Sequence, residues 1–422
     1  MMERDGRAAA VLALASAFLL FGFNTTETAA MPELVRSFGG GAFLAGAQNS
    51  LYVLLAVLLR PLFGPLADRR GARLVMVIGA AGFCVPCLAL PFCHDPGLVV
   101  ALHLAQSIGL AAYHPCVSSY LTALSAPDSL GRRLGSLRFA TTAAAMLGPA
   151  ALFPLIGAAG YPVFFSVLAF VALAGLACVL ALPRLGGGAA AGEPASRREL
   201  RGRPPADGVT PASPEERPSR PDAAMPWSLA LGKARWRRGL GRRQAMLLAL
   251  PLLLGAGYSV VLNYGQALAR ASFPGMNEGL LFTVFSVGGL VGSIIAGRAF
   301  DAWGARRPVA AGLGCLAAGL ALITQGWMGP AALLAGGVLG GLGYYGANAA
   351  CAAGVGKLAA ADHRSVLFSA QQSCLDVGIV AGGLVSAALV ALGSSVPVVY
   401  LAMAALVMLC LPIWVILYPR EN

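Results

Sequence analysis

Two acids, Glu27 and Asp376, lie deep inside stretches that are otherwise apolar enough to cross a membrane. Burial penalises the charged form of a carboxyl group, so each is a candidate to carry a proton or to meet a cationic substrate group. The alternative is a structural acid hydrogen-bonded to a neighbouring helix or, for Glu27, one solvated from the outer surface. Asn24, Glu27 and Thr28 share a helical face by their i, i+3, i+4 spacing, and Ser369, Gln372, Ser373 and Asp376 form a second polar stripe. His103 and His114 are eleven residues apart, so the spacing predicts both on one side of a helix with Gln106. Histidine titrates near neutral pH, which suits a proton relay, although a lone intramembrane histidine also serves as a packing residue. No Cys, His and acid set has metal-ligand spacing, so neither a metal nor another cofactor is expected.

Around these groups the sequence places amides and aromatics: Gln48, Asn49 and Tyr52, then Tyr113, then Tyr258, Asn263 and Gln266, then Tyr344, Tyr345 and Asn348. Any one of them could equally be an interhelical hydrogen bond. Together they describe a neutral, amphipathic cavity suited to a moderately hydrophobic or cationic small molecule. A polyanion would want several intramembrane Arg or Lys residues. Arg60 and Arg138 fall near the ends of their spans, where they snorkel or join gating pairs.

The elements that must position these residues are helices. Apolar residues make up 58% of the 422 and charged residues only 11%, with a mean hydropathy of +0.74. Such a chain is not a soluble domain. Its apolar runs are continuous rather than alternating, which excludes a barrel. The pattern predicts twelve spans: 8–32, 44–66, 74–92, 97–124, 136–157, 163–182, 244–270, 278–300, 308–327, 331–357, 366–392 and 396–417. The first carries Glu27 and no small-residue cleavage site, so it is expected to be retained. With the N-terminus in the cytoplasm, 28 of the 30 Lys and Arg residues fall on the cytoplasmic side, all but Arg36 and Arg270. That bias predicts cytoplasmic termini in an inner or plasma membrane. It also accounts for the net charge of +12 without nucleic acid.

Two six-helix bundles, 1–183 and 244–422, are therefore expected around a central cytoplasmic loop, 184–243. The loop is rich in Gly, Ala, Pro, Ser and Arg, a composition that predicts disorder. From Pro226 to Arg243, Trp227, Leu229, Leu231 and Trp236 interleave with Lys233, Arg235, Arg237 and Arg238, as in a basic segment lying on membrane lipid. The nine cysteines lie in or beside apolar runs and predict no disulfide framework.

A short charged turn occurs once in each half. Gly64, Asp68, Arg69, Gly71 and Arg73 in the first are followed 233 residues later by Gly297, Asp301, Gly304 and Arg306, with Gly, Asp, Gly and Arg in register. Gly148 and Gly382, His114 and Asn348, and Arg138 and Gln372 repeat at an offset of 234. Two equivalent halves follow, with the charged turns assigned to closing the cytoplasmic side.

At these residues the chain resembles the major facilitator superfamily over everything outside the central loop. Gly64, Asp68, Gly71 and Arg73 look like that superfamily's signature between helices 2 and 3. Gly148 and Pro149, with Gly135, partly match a helix 5 motif of its drug/proton antiporters, although Ala144, Leu152 and Phe153 stand where further glycines are usual. His103 stands where that branch carries an Arg in helix 4, while Gln106 and Gly109 match. The resemblance implies a twelve-helix rocker-switch transporter whose cavity is lined by helices 1, 4, 7 and 10. It suggests a monomer with a small-molecule substrate and protons as partners.

No nucleotide-binding loop or catalytic constellation is present, which predicts a gradient-driven transporter and not an enzyme. Proton-coupled export of a small organic compound is the first expectation. Uptake by proton symport is the second, and a non-transporting receptor or assembly factor the third. The paired turns argue against the third. Replacing Asp68→Asn is expected to abolish substrate movement into proteoliposomes without loss of folded protein; unchanged transport would sink the switch assignment.

Overall fold

The computed structural model describes residues 2–124, 130–183, 241–358 and 364–419. Among the described residues every regular element is a helix, as a chain that must satisfy its backbone polar groups inside hydrocarbon requires. The first bundle contains α1 (Met2–Ser37), α2 (Ala42–Arg70) and α3 (Ala72–Ala89). Its fourth span, α4, comes in two pieces, Pro96–Ala105 and Ser107–Ala123. The run Leu130–Ala181 breaks at Gly160, where φ is 78°, into limbs that we call α5 (130–159) and α6 (161–181). The second bundle contains α7 (Arg242–Ser272), α8 (Gly279–Trp303), α9 (Arg306–Ile323), α10 (Pro330–Leu358), α11 (Arg364–Ala391) and α12 (Val396–Leu417).

Among the described residues, ten segments are long and apolar enough to cross a membrane. One of them, Ser136–Ala181, contains both α5 and α6, and α10 is outside the ten because its glycines, tyrosines and Asn348 dilute its hydropathy. The twelve expected spans are thus all helical.

Three departures from expectation bear on the site. Helix α1 runs through Pro32 to Ser37, because one lost backbone bond does not end a helix braced on both sides by neighbours. Helix α7 begins at Arg242, so Arg242 and Arg243 leave the central loop and join the second bundle. Residues 184–240, including the basic stretch from Pro226, lie outside the described residues. The third departure is the split of α4. The Gln106 N–H is shared between the carbonyls of Leu102 and His103, at 3.2 Å each, and Gly109 N–H turns back to Gln106 O at 2.8 Å. This tightened turn changes the phase between His103 and His114.

Glycines set the closest helix crossings. A Cβ on Gly341 of α10 would meet Phe285 O of α8 at 1.8 Å, and one on Gly378 of α11 would meet Leu252 O of α7 at 2.0 Å. Small residues let backbones approach where lipid supplies no hydrophobic drive for association. The two bundles meet where α1 faces α7, α2 faces α11 and α5 faces α8.

The repeated turns are built alike. Gly71 (φ 89°) and Gly304 (φ 70°) take the left-handed backbone that glycine favours, and each donates its N–H to the carbonyl four residues back at 2.8 Å. Arg73 donates to Leu180 O at 2.6 Å near the end of α6, and Arg306 donates to Val415 O at 2.5 and 3.1 Å near the end of α12. Each arginine thus ties the turn to the last helix of its own bundle, at unpaired carbonyls where the helix dipole favours a cation.

Replacing Gly341→Val should destabilise the protein by roughly 1–3 kcal/mol or more, because backbone must move to admit the side chain. A lower apparent melting temperature in detergent is expected. Gly297→Ala, with nothing within 4 Å of the added Cβ, should leave it unchanged.

Candidate functional site

The tightened turn of α4 aims His103 and Gln106 at α1 and α2. Glu27 and His103 are 2% and 1% exposed, and Glu27 Oε1 lies 4.0 Å from His103 Nδ1. Neither ring nitrogen is idle: Nδ1 is 3.1 Å from Gln106 Oε1, and Nε2 is 3.2 Å from Asn49 Oδ1. Tyr52 stacks on the imidazole with centroids 4.4 Å apart and donates its hydroxyl to Asn24 Oδ1. Gln48 donates to Asn49 Oδ1 at 2.7 Å. Glu27 Oε1 itself is buried without a hydrogen-bond partner.

Asn24, Glu27, Gln48, Asn49, Tyr52, His103 and Gln106 therefore form one connected polar cluster inside the first bundle. His114 stands apart. Its ring stacks on Phe21 with centroids 3.7 Å apart, and its Nε2 has no partner. It also lies 6.1 Å from the Phe83 ring and is not hydrogen-bonded to the cluster around His103. Tyr113 is not placed for a cavity either: it is buried, its hydroxyl pairs with Ser16 Oγ at 2.7 Å, and its backbone packs against Gly79.

In the second bundle the aromatics gather. Tyr258 stacks on Tyr344 at 4.7 Å, Tyr345 meets Tyr344 edge-on at 4.8 Å, and Phe285 closes the group. Asn348 is engaged by Gln371, whose amide donates to its Oδ1 at 3.3 Å.

Polar side chains bond across the seam between the bundles. Asn49 donates to Asn263 Oδ1 at 2.8 Å. Arg60 pairs with Asp376, whose other oxygen accepts from Gln372 at 3.2 Å, so the second candidate acid is already ion-paired. Beyond α1 and α7, Arg270 bonds Glu33 at 3.1 Å and Glu278 at 2.5 and 3.0 Å, and Gln266 joins it by donating to Glu278 at 2.8 Å. Arg36 lies 5.4 Å over the Tyr264 ring beside this latch. Gly148 packs against Gly22 and Thr26 of α1, while Pro149 O meets Gly279 of the other bundle. The helix 5 motif is thus part of the seam. Asn277 and Thr283 add bonds to the α5 carbonyls of Ala150, at 2.6 Å, and Met146, at 2.5 Å. The Asp68 side chain is outside the described residues, and Asp301 is exposed.

Sequence reasoning missed the latch. Its signal was available: the two cations that break the charge bias, Arg36 and Arg270, lie in sequence beside Glu33 and Glu278.

The family model of the Major Facilitator Superfamily matches residues 12–269 and 277–422. The chain is 30% identical over 161 residues to the multidrug transporter MdfA of Yersinia pestis bv. Antiqua (strain Angola), covering 35% of this chain and 36% of that protein. It is 28% identical over 159 residues to the multidrug resistance protein MdtM of Escherichia coli (strain K12), covering 36% and 37%. The matched segment spans little more than a third of these relatives. Among solved structures, the nucleoside transporter NupG aligns with a TM-score of 0.71 at 14% identity, over 99% of this chain and all of that one. The peptide transporter POT in complex with sulfate aligns at 0.68 and 14%, over 99% and 96%. At that identity the likeness is one of fold.

Removing the latch should release the seam. In an Arg270→Ala background, a cysteine introduced at buried Ser50, which packs on Gly383 of the other bundle, should react several-fold faster with a membrane-permeant thiol reagent. An unchanged rate above the native-cysteine background would show that the latch does not hold the bundles together.

Proposed function

The chain belongs to the Major Facilitator Superfamily, a family of transporters and not of enzymes, and from that premise we propose that it exports a small organic compound in exchange for protons. The observation that carries the reading is Glu27: a carboxyl group sealed from solvent, one oxygen unpartnered, with a histidine 4.0 Å away. Such a group is expensive to keep charged, and a site that takes up and gives off a proton is a physical reason for placing it there. The two relatives named for multidrug transport support export. The Tyr258, Tyr344 and Tyr345 cluster favours a moderately hydrophobic or cationic substrate.

In this reading the two bundles, 1–183 and 242–422, rock about the seam. The charge bias puts the turns at Gly71 and Gly304 in the cytoplasm, together with both termini, and the Arg270 latch on the opposite side of an inner or plasma membrane. The protein works as a monomer surrounded by lipid.

Proteoliposomes carrying a pH-sensitive dye, challenged with a panel of lipophilic cations and small metabolites, test the proposal. Substrate-driven proton movement is expected in wild type and should fall at least tenfold in Glu27→Gln. Protons moving opposite to substrate establish export, and movement together establishes uptake instead. Normal coupling in the variant would show that Glu27 is structural, and no movement with any compound would remove the transport reading in favour of a static assembly role.

A further inference from the structure

The surroundings of His103 are unusual for a neutral imidazole, which has one N–H to donate and one lone pair to fill. Both of its nitrogens face amide oxygens, Gln106 Oε1 at 3.1 Å and Asn49 Oδ1 at 3.2 Å. Neither amide is free to turn over. Asn49 Nδ2 already donates to the backbone carbonyl of Thr28 at 2.9 Å and to Asn263 Oδ1 at 2.8 Å, while its oxygen accepts from Gln48. Flipping it would set oxygen against the Thr28 carbonyl. Gln106 Nε2 points to Phe83 O at 3.4 Å, and turning the amide over would set its oxygen against that carbonyl, so the oxygen stays toward the ring. Two fixed acceptors call for two donors.

We propose that His103 holds protons on both ring nitrogens in this conformation and is the cationic partner of an ionised Glu27, so that the proton attributed to the acid resides on the histidine. This inference rests on the proton-coupled reading and names the group that stores the proton. The pair is neutral as a whole, which is how a dry site tolerates two charges. The other titratable and charged groups facing it are Tyr52 and Arg60 on α2 and Cys87 on α3, and none of them supplies a second anion. Asn49, the amide that fixes Nε2, is itself bonded across the seam to Asn263. The bundles' packing therefore holds the ring in its two-donor setting. Separation of the bundles frees one of the two bonds that keep this amide from turning.

The test needs no transport assay. The chain has four histidines, and ¹⁵N-histidine labelling of the purified protein in lipid bilayers at pH 7 reads the protonation of each ring nitrogen. His103 is identified by loss of its signals in His103→Gln. Should that variant fail to fold, single replacement of His94, His114 and His363 by Gln assigns His103 by elimination. Both His103 nitrogens are expected at protonated shifts in wild type. In Glu27→Gln, where the counter-charge is gone, one should move to the unprotonated range. A single neutral tautomer in wild type, or a doubly protonated ring that persists in Glu27→Gln, overturns the proposal. Loss of substrate-driven proton movement in Glu27→Gln, together with a neutral His103 in wild type, would leave the transport reading standing and sink only this inference.

Discussion

Water does not reach Glu27, and the arrangement of the first bundle follows from that constraint. At that depth every polar atom must find its partner within the protein or remain unsatisfied at a cost of several kcal/mol. Gln48, Asn49, His103 and Gln106 are all buried around the acid, and each bond fixes the orientation of the next amide. The backbone is shaped to the same end. The tightened turn at Gln106 brings that side chain round to Glu27. Gly109 leaves room for the Phe83 ring, whose atoms would lie 2.5 Å from an added Cβ, so that α3 comes close enough for the Phe83 carbonyl to hold the Gln106 amide.

The halves repeat one scaffold and divide the chemistry. Their turns share the left-handed glycine and the arginine tied to the final helix, because both bundles must join two antiparallel spans with the same few residues. The ionisable groups deep within the spans do not repeat. At the 234-residue offset Glu27 corresponds to Val261, His114 to Asn348 and Arg138 to Gln372. The first bundle holds the acid and histidine, while the second offers a packed aromatic surface. In the proposed exchange, a proton site and a substrate surface on opposite bundles would both be altered by bundle motion, which is the minimum that coupling requires.

Much of this was legible in the chain. Continuous apolar runs, charges confined to alternate loops and the in-register turns define spans and halves, because hydrocarbon leaves so few ways to arrange a backbone. Glu27 with Asn24 on one face was legible for the same reason, as a polar stripe cannot face lipid. What escaped depends on three-dimensional phase. A periodic pattern cannot reveal a tightened turn at Gln106, nor that His114 stacks on Phe21 without a hydrogen-bond partner at Nε2. Tyr113 reads as a lining residue by type and packs into α1 and α3 by position. Asp376 looked like a free acid because its partner, Arg60, lies 316 residues away in the sequence.

The seam shows how such a molecule stays switchable. The Arg270 latch is partly exposed, with 41% of that side chain open to solvent, so its ion pairs are screened and cheap to break. The Arg60 and Asp376 pair differs, since its acid is only 8% exposed and would be left in a poorly solvated site if Arg60 withdrew. Opening therefore has to bring a new partner or water to Asp376 as it removes the old one. Gln372 is already bonded to it and is itself exposed, so a wet path to the acid lies beside the pair. Closure then depends on helix contacts as much as on charge: Gly46 against Ala387, Gly383 against Ser50, Gly279 against Pro149. Close contacts between rigid surfaces are made or lost together, so the proposed rocking would pass between discrete packings and not through a continuum.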